Sequence, residues 1–319
     1  MVCSLSNSEG RRRRSKPLYA TKVSERVYLL DTYAIGIPGT VGAYLVKGPK
    51  PALIDCGYAS SSESVLAGMA EVGVMPSDIR YVIPTHVHLD HAGAAGKLLR
   101  QMPRAEVVAH ERGVPHLVDP TRLVESSTMV FGRAIMESYG RPDPIPADRI
   151  TAVGKESHLD LGDGLKATLM HSPGHAPHQI SVMLDDTGAL LTADAVGIVY
   201  PGMKALIPTT PPPSFHPNEL VSTIEMLKQT TPRELLVPHF GTRRDPGWVF
   251  DRTSELVLRW VERVREMWKD KATLDEAAVE MEKTVAEDAG IGVGDLPIYA
   301  RVSVRTSTMG IMHYLDKNH

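Results

Sequence analysis

The chain has 319 residues, 42% hydrophobic and 23% charged, which is enough to bury a large core and is long for one domain. Its net charge of −3 gives no general attraction to nucleic acid, and no apolar run is long enough to span a bilayer. Two cysteines, Cys3 and Cys56, do not make a disulfide framework, and no apolar stretch follows the N-terminal charges, so a cytoplasmic protein is expected.

In chain order, residues 1–20 read as a polar arm, and the arginines at 11–14 read as a solvated part of it. Residues 23–46 mix apolar and polar positions around Gly36, Pro38 and Gly39, as consecutive strands do. Residues 51–57 form another strand and 60–73 a helix. The run 79–84 reads as a buried strand closed by Pro84. After it comes Thr85-His86-Val87-His88-Leu89-Asp90-His91-Ala92-Gly93, with three imidazoles and a carboxylate in six positions. Nitrogen donors mixed with one hard oxygen donor suit zinc, iron or manganese better than calcium, which takes oxygen only. The ligands are therefore expected on the loop at a strand's end.

A helix is predicted over 92–102 and a strand over Glu106–His110, with His110 a structural residue. Residues 111–150 break the β pattern as a helical insertion, its helix over 123–139 ended by Arg141-Pro142-Asp143-Pro144. Strands return at 165–171, 179–184 and 188–193. Residues 207–217, with three consecutive prolines, form a stiff loop before a helix over 218–230. From 247 to 319 the chain reads as a helical extension. Val257, Trp260, Val261, Val264, Met267 and Trp268 share one helix face, and Thr273-Leu274-Asp275-Glu276 is a capping box opening a second helix that Gly290 stops. This extension packs over the active-site mouth or makes a homodimer contact, and the sequence leaves both open. Three asparagines, three glutamines and 24 prolines lean towards a thermophilic source.

The histidine-rich run resembles the His-x-His-x-Asp-His signature of the metallo-β-lactamase superfamily. Ser172-Pro173-Gly174-His175 is similar to that family's later Pro-Gly-His element. Leu191-Thr192-Ala193-Asp194 resembles its strand-end aspartate, with Ala193 where glycine is usual. Val237-Pro238-His239-Phe240-Gly241 resembles its last histidine, Phe240 replacing a small polar residue. The resemblance covers about 21–246 as the catalytic domain and implies a four-layer αββα sandwich. It also implies two divalent metal ions: His86, His88 and His175 on one, Asp90, His91 and His239 on the other, and Asp194 bridging. Asp90 would also orient the attacking hydroxide or accept its proton. His88 stands where the diiron, oxygen-reducing branch has Glu, which favours hydrolysis over redox chemistry.

The closest likeness within the superfamily is to the glyoxalase II and lactonase type, because Ala176-Pro177-His178-Gln179 follows His175. The basic C-terminal cluster expected for glutathione recognition is absent. Candidate pocket residues are mostly apolar: Ile207, Phe215, Tyr200, Tyr139, Met129, Met136 and Met203, with His178 and His216 the polar exceptions. The expected substrate is an uncharged, partly apolar ester, thioester or lactone. A phosphodiester or phosphotriester is the alternative, and a non-enzymatic metal-containing ligand sensor the alternative of another class. Membrane and nucleic acid are not expected as partners.

Overall fold

The computed structural model describes residues 18–318; the arginine run and Cys3 lie outside the described residues. A seven-stranded sheet takes its strands in sequence order: β1 (Ala20–Lys22), β2 (Val27–Asp31), β3 (Gly42–Val46), β4 (Ala52–Ile54), β5 (Tyr81–Ile83), β6 (Glu106–His110) and β7 (Ile150–Val153). The first four pair antiparallel and β4 to β7 run parallel. Each parallel step needs a crossover. Helix α1 (Ser62–Glu71) supplies the first, α2 (Leu89–Ala92) with α3 (Ala95–Leu99) the second, and α4 (Val114–Val118), α5 (Thr121–Phe131) and α6 (Arg133–Tyr139) the third.

The second sheet holds β8 (Glu156–Gly162), β9 (Leu165–His171), β10 (Ile180–Leu184), β11 (Ala189–Leu191), β12 (Glu234–Leu236) and β13 (Thr242–Arg243), in the order β13-β12-β11-β10-β9-β8. Helix α7 (Pro217–Gln229) crosses between the parallel strands β11 and β12. Three helices follow: α8 (Pro246–Lys269), α9 (Leu274–Ala289) and α10 (Ile298–Asn318).

Period-two alternation sends side chains of one strand into two different cores. On β2 and β3, Val27, Leu29, Tyr44 and Val46 face the other sheet, whereas Leu30, Ala43 and Leu45 face the α1 and α3 layer. The inter-sheet core is completed by Leu169, Ile180, Val182 and Leu191. A third core lies between the second sheet and α7, α8 and the helices after them, centred on the fully buried Trp260. The result is a four-layer αββα sandwich with a helical C-terminal region.

Three features differ from the sequence-based expectation. Strands β7, β8, β12 and β13 were not foreseen: β7, β12 and β13 are short, and β8 exposes much of its length. The helix expected at 92–102 starts earlier, at Leu89, so Asp90 and His91 sit in a helical first turn while His86 and His88 precede it. The extension also has a third helix, α10. That helix is closely seated, because a Cβ on Gly310 would strike the backbone of Thr210 and Pro211. The capping box of α9 does form: Thr273 Oγ1 accepts from the Glu276 amide, and Glu276 Oε2 from the Thr273 amide at 2.8 Å. Among the described residues no helix is long and apolar enough to cross a membrane.

Candidate metal centre

Strand β5 ends at Ile83, and Thr85 begins the turn that carries the histidine run. Asp55, just beyond the end of β4, organises this turn. Its Oδ1 accepts from the Thr85 amide at 2.8 Å and from Thr85 Oγ1 at 2.9 Å, and its Oδ2 faces His91 Nδ1 at 2.9 Å. With the proton held on Nδ1, His91 turns a bare Nε2 towards Asp90 Oδ2 (3.5 Å) and Asp194 Oδ1 (3.6 Å).

The other histidines are oriented in the same way. His175 Nδ1 donates to the Thr209 carbonyl at 3.0 Å, and His239 Nδ1 lies 3.4 Å from the Thr40 carbonyl. Each then presents Nε2 inward, His175 to Asp194 Oδ2 at 3.5 Å and His239 to Asp194 Oδ2 at 3.4 Å and Asp90 Oδ2 at 3.5 Å. His88 is the exception, presenting Nδ1 at 3.0 Å from both His86 Nε2 and His175 Nε2.

Three donor groups result: His86, His88 and His175; Asp90, His91 and His239; and His86, His91 and Asp194. Asp194 reaches towards both of the first two. All seven residues named from the sequence therefore converge on one place. The donor set fits divalent cations, because His91 Nε2 and Asp194 Oδ1 are enclosed with no hydrogen-bond partner among the described residues, which a cation between them would supply. Burial, helped by the neighbouring imidazoles, pushes His86 well below the usual histidine range and His88 down to about 3. Burial also opposes charge on Asp90 and Asp194, but His91 and His239 outweigh it and keep both below the usual carboxylate range. Against the effect of burial, the same carboxylates and Asp55 hold His91 well above the usual histidine range, and Asp194 and Asp90 hold His239 above it. A cation binding there displaces protons, whereas His86 and His88 are already in the bare form that binds metal.

Local backbone explains two of the motif glycines and one departure. Gly174 has φ +119°, and a Cβ there would strike the backbone of Leu220 at the start of α7, so the Pro-Gly-His turn can pack only as glycine. Ala193 has φ +50°, the left-handed region that glycine occupies without strain, and this chain pays that strain next to Asp194. Gly57, at φ +73°, lies against Thr32 behind the same turn.

The cluster opens into a cavity of about 760 Å³. Its walls come from the loop after β2, the insertion helices α5 and α6, the proline loop and α10. Helix α10 of the extension lines this cavity. Tyr200 and His178 line the cavity, as do Tyr139 and Met129. Phe215 and His216 do not, and here the sequence reading needs correction. Phe215 is buried in the core under α7, while His216 caps that helix by accepting from the Glu219 amide at 3.4 Å. A loop residue that opens a helix has its polar atom taken by the orphan amides. Ile207 and Met203 likewise belong to that core, and Met136 packs under Leu89 and Tyr139. His110 stacks on His171 at 4.0 Å between ring centroids and takes no part in the donor groups. Tyr58, stacked on Tyr139, and the α10 residues Ser303 and His313 line the cavity without having been singled out. No spacing in the sequence marks them.

Two packed sheets with a His/Asp cluster at the ends of their strands define a metallo-β-lactamase sandwich. The Metallo-beta-lactamase superfamily model matches residues 36–272, and the chain belongs to that superfamily, whose members are largely metal-dependent hydrolases. It is 30% identical over 182 residues to a metallo-β-lactamase fold-containing protein of Sulfurisphaera tokodaii, covering 56% of this chain and 64% of that one. It is 32% identical over 136 residues to an N-acyl homoserine lactonase of Azorhizobium caulinodans, covering 42% and 47%. The chain thus spans less than two thirds of the length of either relative. Among solved structures, a metallo-β-lactamase family protein of Thermus thermophilus superposes with a TM-score of 0.66 at 19% identity, covering 93% of this chain and 95% of that one.

Proposed function

We propose that the protein is a hydrolase holding two divalent metal ions, zinc or iron with manganese also suited, and that it cleaves an uncharged, largely apolar carboxylic ester, thioester or lactone. The observation that carries the substrate class is the cavity wall. Among the described residues it contains no lysine or arginine, and its only carboxylates are Asp90 and Asp194 of the donor groups. Apart from the metal ions themselves, a polyanion or a glutathione conjugate would find no cationic side chain to match its remaining charges. Four of the large apolar side chains exposed at the surface, Ile35, Met129, Ile135 and Ile298, also belong to this wall. The lactonase relative is consistent with this class. A neutral phosphotriester has the same charge character and is the second reading.

When bound, the cations supply hydroxide near neutral pH and polarise the acyl oxygen. The chain's own part is to hold the bare nitrogens in place through Asp55, Thr209 and Thr40, and to keep water out with the apolar walls. Asp90 lines the cavity and is positioned to take up the proton of the attacking water. Metal analysis coupled to turnover of p-nitrophenyl esters, lactones and RNA tests the reading. Two ions per chain with ester or lactone cleavage is expected; one ion or none, or salt-sensitive RNA cleavage without ester hydrolysis, would overturn it.

A further inference from the structure

The turn that carries His175 runs on through Ala176 and Pro177 to His178, a buried imidazole that lines the cavity but belongs to none of the donor groups. Three neighbours hold it. Its Nδ1 accepts from the Val87 amide across 3.5 Å, in the middle of the His86-Val87-His88 run. Its ring lies nearly parallel to that of His86 and at right angles to that of His88, with centroids 6.3 and 6.1 Å away. The turn after β6 packs against it as well, since a Cβ on Gly113 would lie 3.5 Å from the Cβ of His178.

With Nδ1 accepting from an amide, the proton of the neutral ring sits on Nε2. Burial, with His88 and His116 nearby, pushes His178 down to about 2, so the neutral ring is the form present around neutral pH. Nε2 has no hydrogen-bond partner among the described residues and yet, unlike His91 Nε2, it is not enclosed. An N–H held in one direction, with its free surface on the cavity, can donate to an occupant without first giving up another partner. Because the ring stands beside His86 and His88, it meets the part of an occupant that lies close to the group held at the cluster.

We propose that His178 is a specificity-determining residue whose Nε2–H donates to a neutral acceptor oxygen, of an ether or a second carbonyl, one or two carbons away from the scissile carbonyl. The proposal rests on the hydrolase reading above and deepens it: the acyl part of the substrate is not plain hydrocarbon but carries an acceptor near its reacting end. An oxygen without a hydrogen of its own suits the place, because the neutral imidazole offers only a donor there.

The test compares p-nitrophenyl methoxyacetate with the butanoate, and the 3-methoxypropanoate with the pentanoate, pairs that differ by an oxygen in place of one methylene. Setting each pair's ratio in the wild type against that in a variant cancels the difference in intrinsic reactivity. Binding without turnover is read by calorimetry with the corresponding ketones, in which a methylene replaces the bridging ester oxygen. In at least one pair, His178→Leu should shift the ratio of KM, and of Kd for the ketones, against the ether by about fivefold. The kcat values and the KM of the plain acyl esters should stay within twofold of wild type. His178→Gln, which can accept from the Val87 amide and donate in turn, should keep most of the preference, and His178→Met repeats the comparison should His178→Leu fail to fold. Ratios unchanged in both pairs, or a lowered Tm with equal loss on all four esters, would overturn the proposal. If no ester is hydrolysed while the ketone ratio still depends on His178, the hydrolase reading fails and the binding role stands.

Discussion

Asp55 illustrates how much of this centre depends on a residue that holds no metal. Its Oδ1 accepts from the Thr85 amide and is the nearer of its two oxygens to Thr85 Oγ1, while Oδ2 faces His91 Nδ1. In Asp55→Asn the same anchoring leaves the amide NH2 towards His91, which then accepts at Nδ1 and carries its proton on Nε2. That nitrogen could no longer act as a ligand. Metal affinity at the Asp90, His91 and His239 group should fall about 10- to 100-fold with circular dichroism unchanged, measured by titration against a chelating dye. Unaltered affinity would show that Asp55 does not set the tautomer. The seven ligand candidates were legible in the sequence because their spacing is dictated by donor chemistry. The partners that orient them were mostly not, since two are backbone carbonyls, of Thr209 and Thr40, which every residue type offers.

The same contrast appears among the elements. Helix α8 was readable because it has one wet side and one buried side, with Val257, Trp260, Val261 and Val264 in the core. Helix α10 was not. It buries Ala300, Val304 and Ile311 on one side and lends Tyr299, Thr306 and His313 to the cavity on another, so no simple two-sided pattern survives. Short strands fail for a related reason: β7 has four residues and a partner on one edge only, too little to establish a period. Phe215 and His216 show the converse error, since apolar and imidazole side chains near a proline loop fit a pocket wall or a capped helix equally well. Because Trp260 is fully buried where α8 meets the second sheet's core, Trp260→Ala should lower unfolding free energy by about 3–5 kcal/mol in urea titrations. A loss below 1 kcal/mol would mean that α8 and the helices after it are not part of the cooperative unit.

For the whole molecule, the organisation places opposite requirements in different layers. The two sheets make a rigid, dry interior, and their strand ends gather the polar donors. The insertion and the C-terminal helices, which vary the fold without disturbing that interior, enclose the space in front of it. On the function proposed above, a cavity wall with no lysine or arginine among the described residues would draw substrate affinity from apolar burial. Each methylene taken from water into such a wall contributes about 0.8 kcal/mol, which is roughly fourfold in kcat/KM. From p-nitrophenyl acetate to the hexanoate, kcat/KM should therefore climb by about that factor per carbon and level off once the chain fills the cavity of about 760 Å³. The hemisuccinate, of similar length but anionic, should fall well below the butyrate, and added salt should leave the neutral series unchanged because no charge pairing is involved. A flat length series, or a preference for the anionic ester, would show that substrate affinity does not come from these walls.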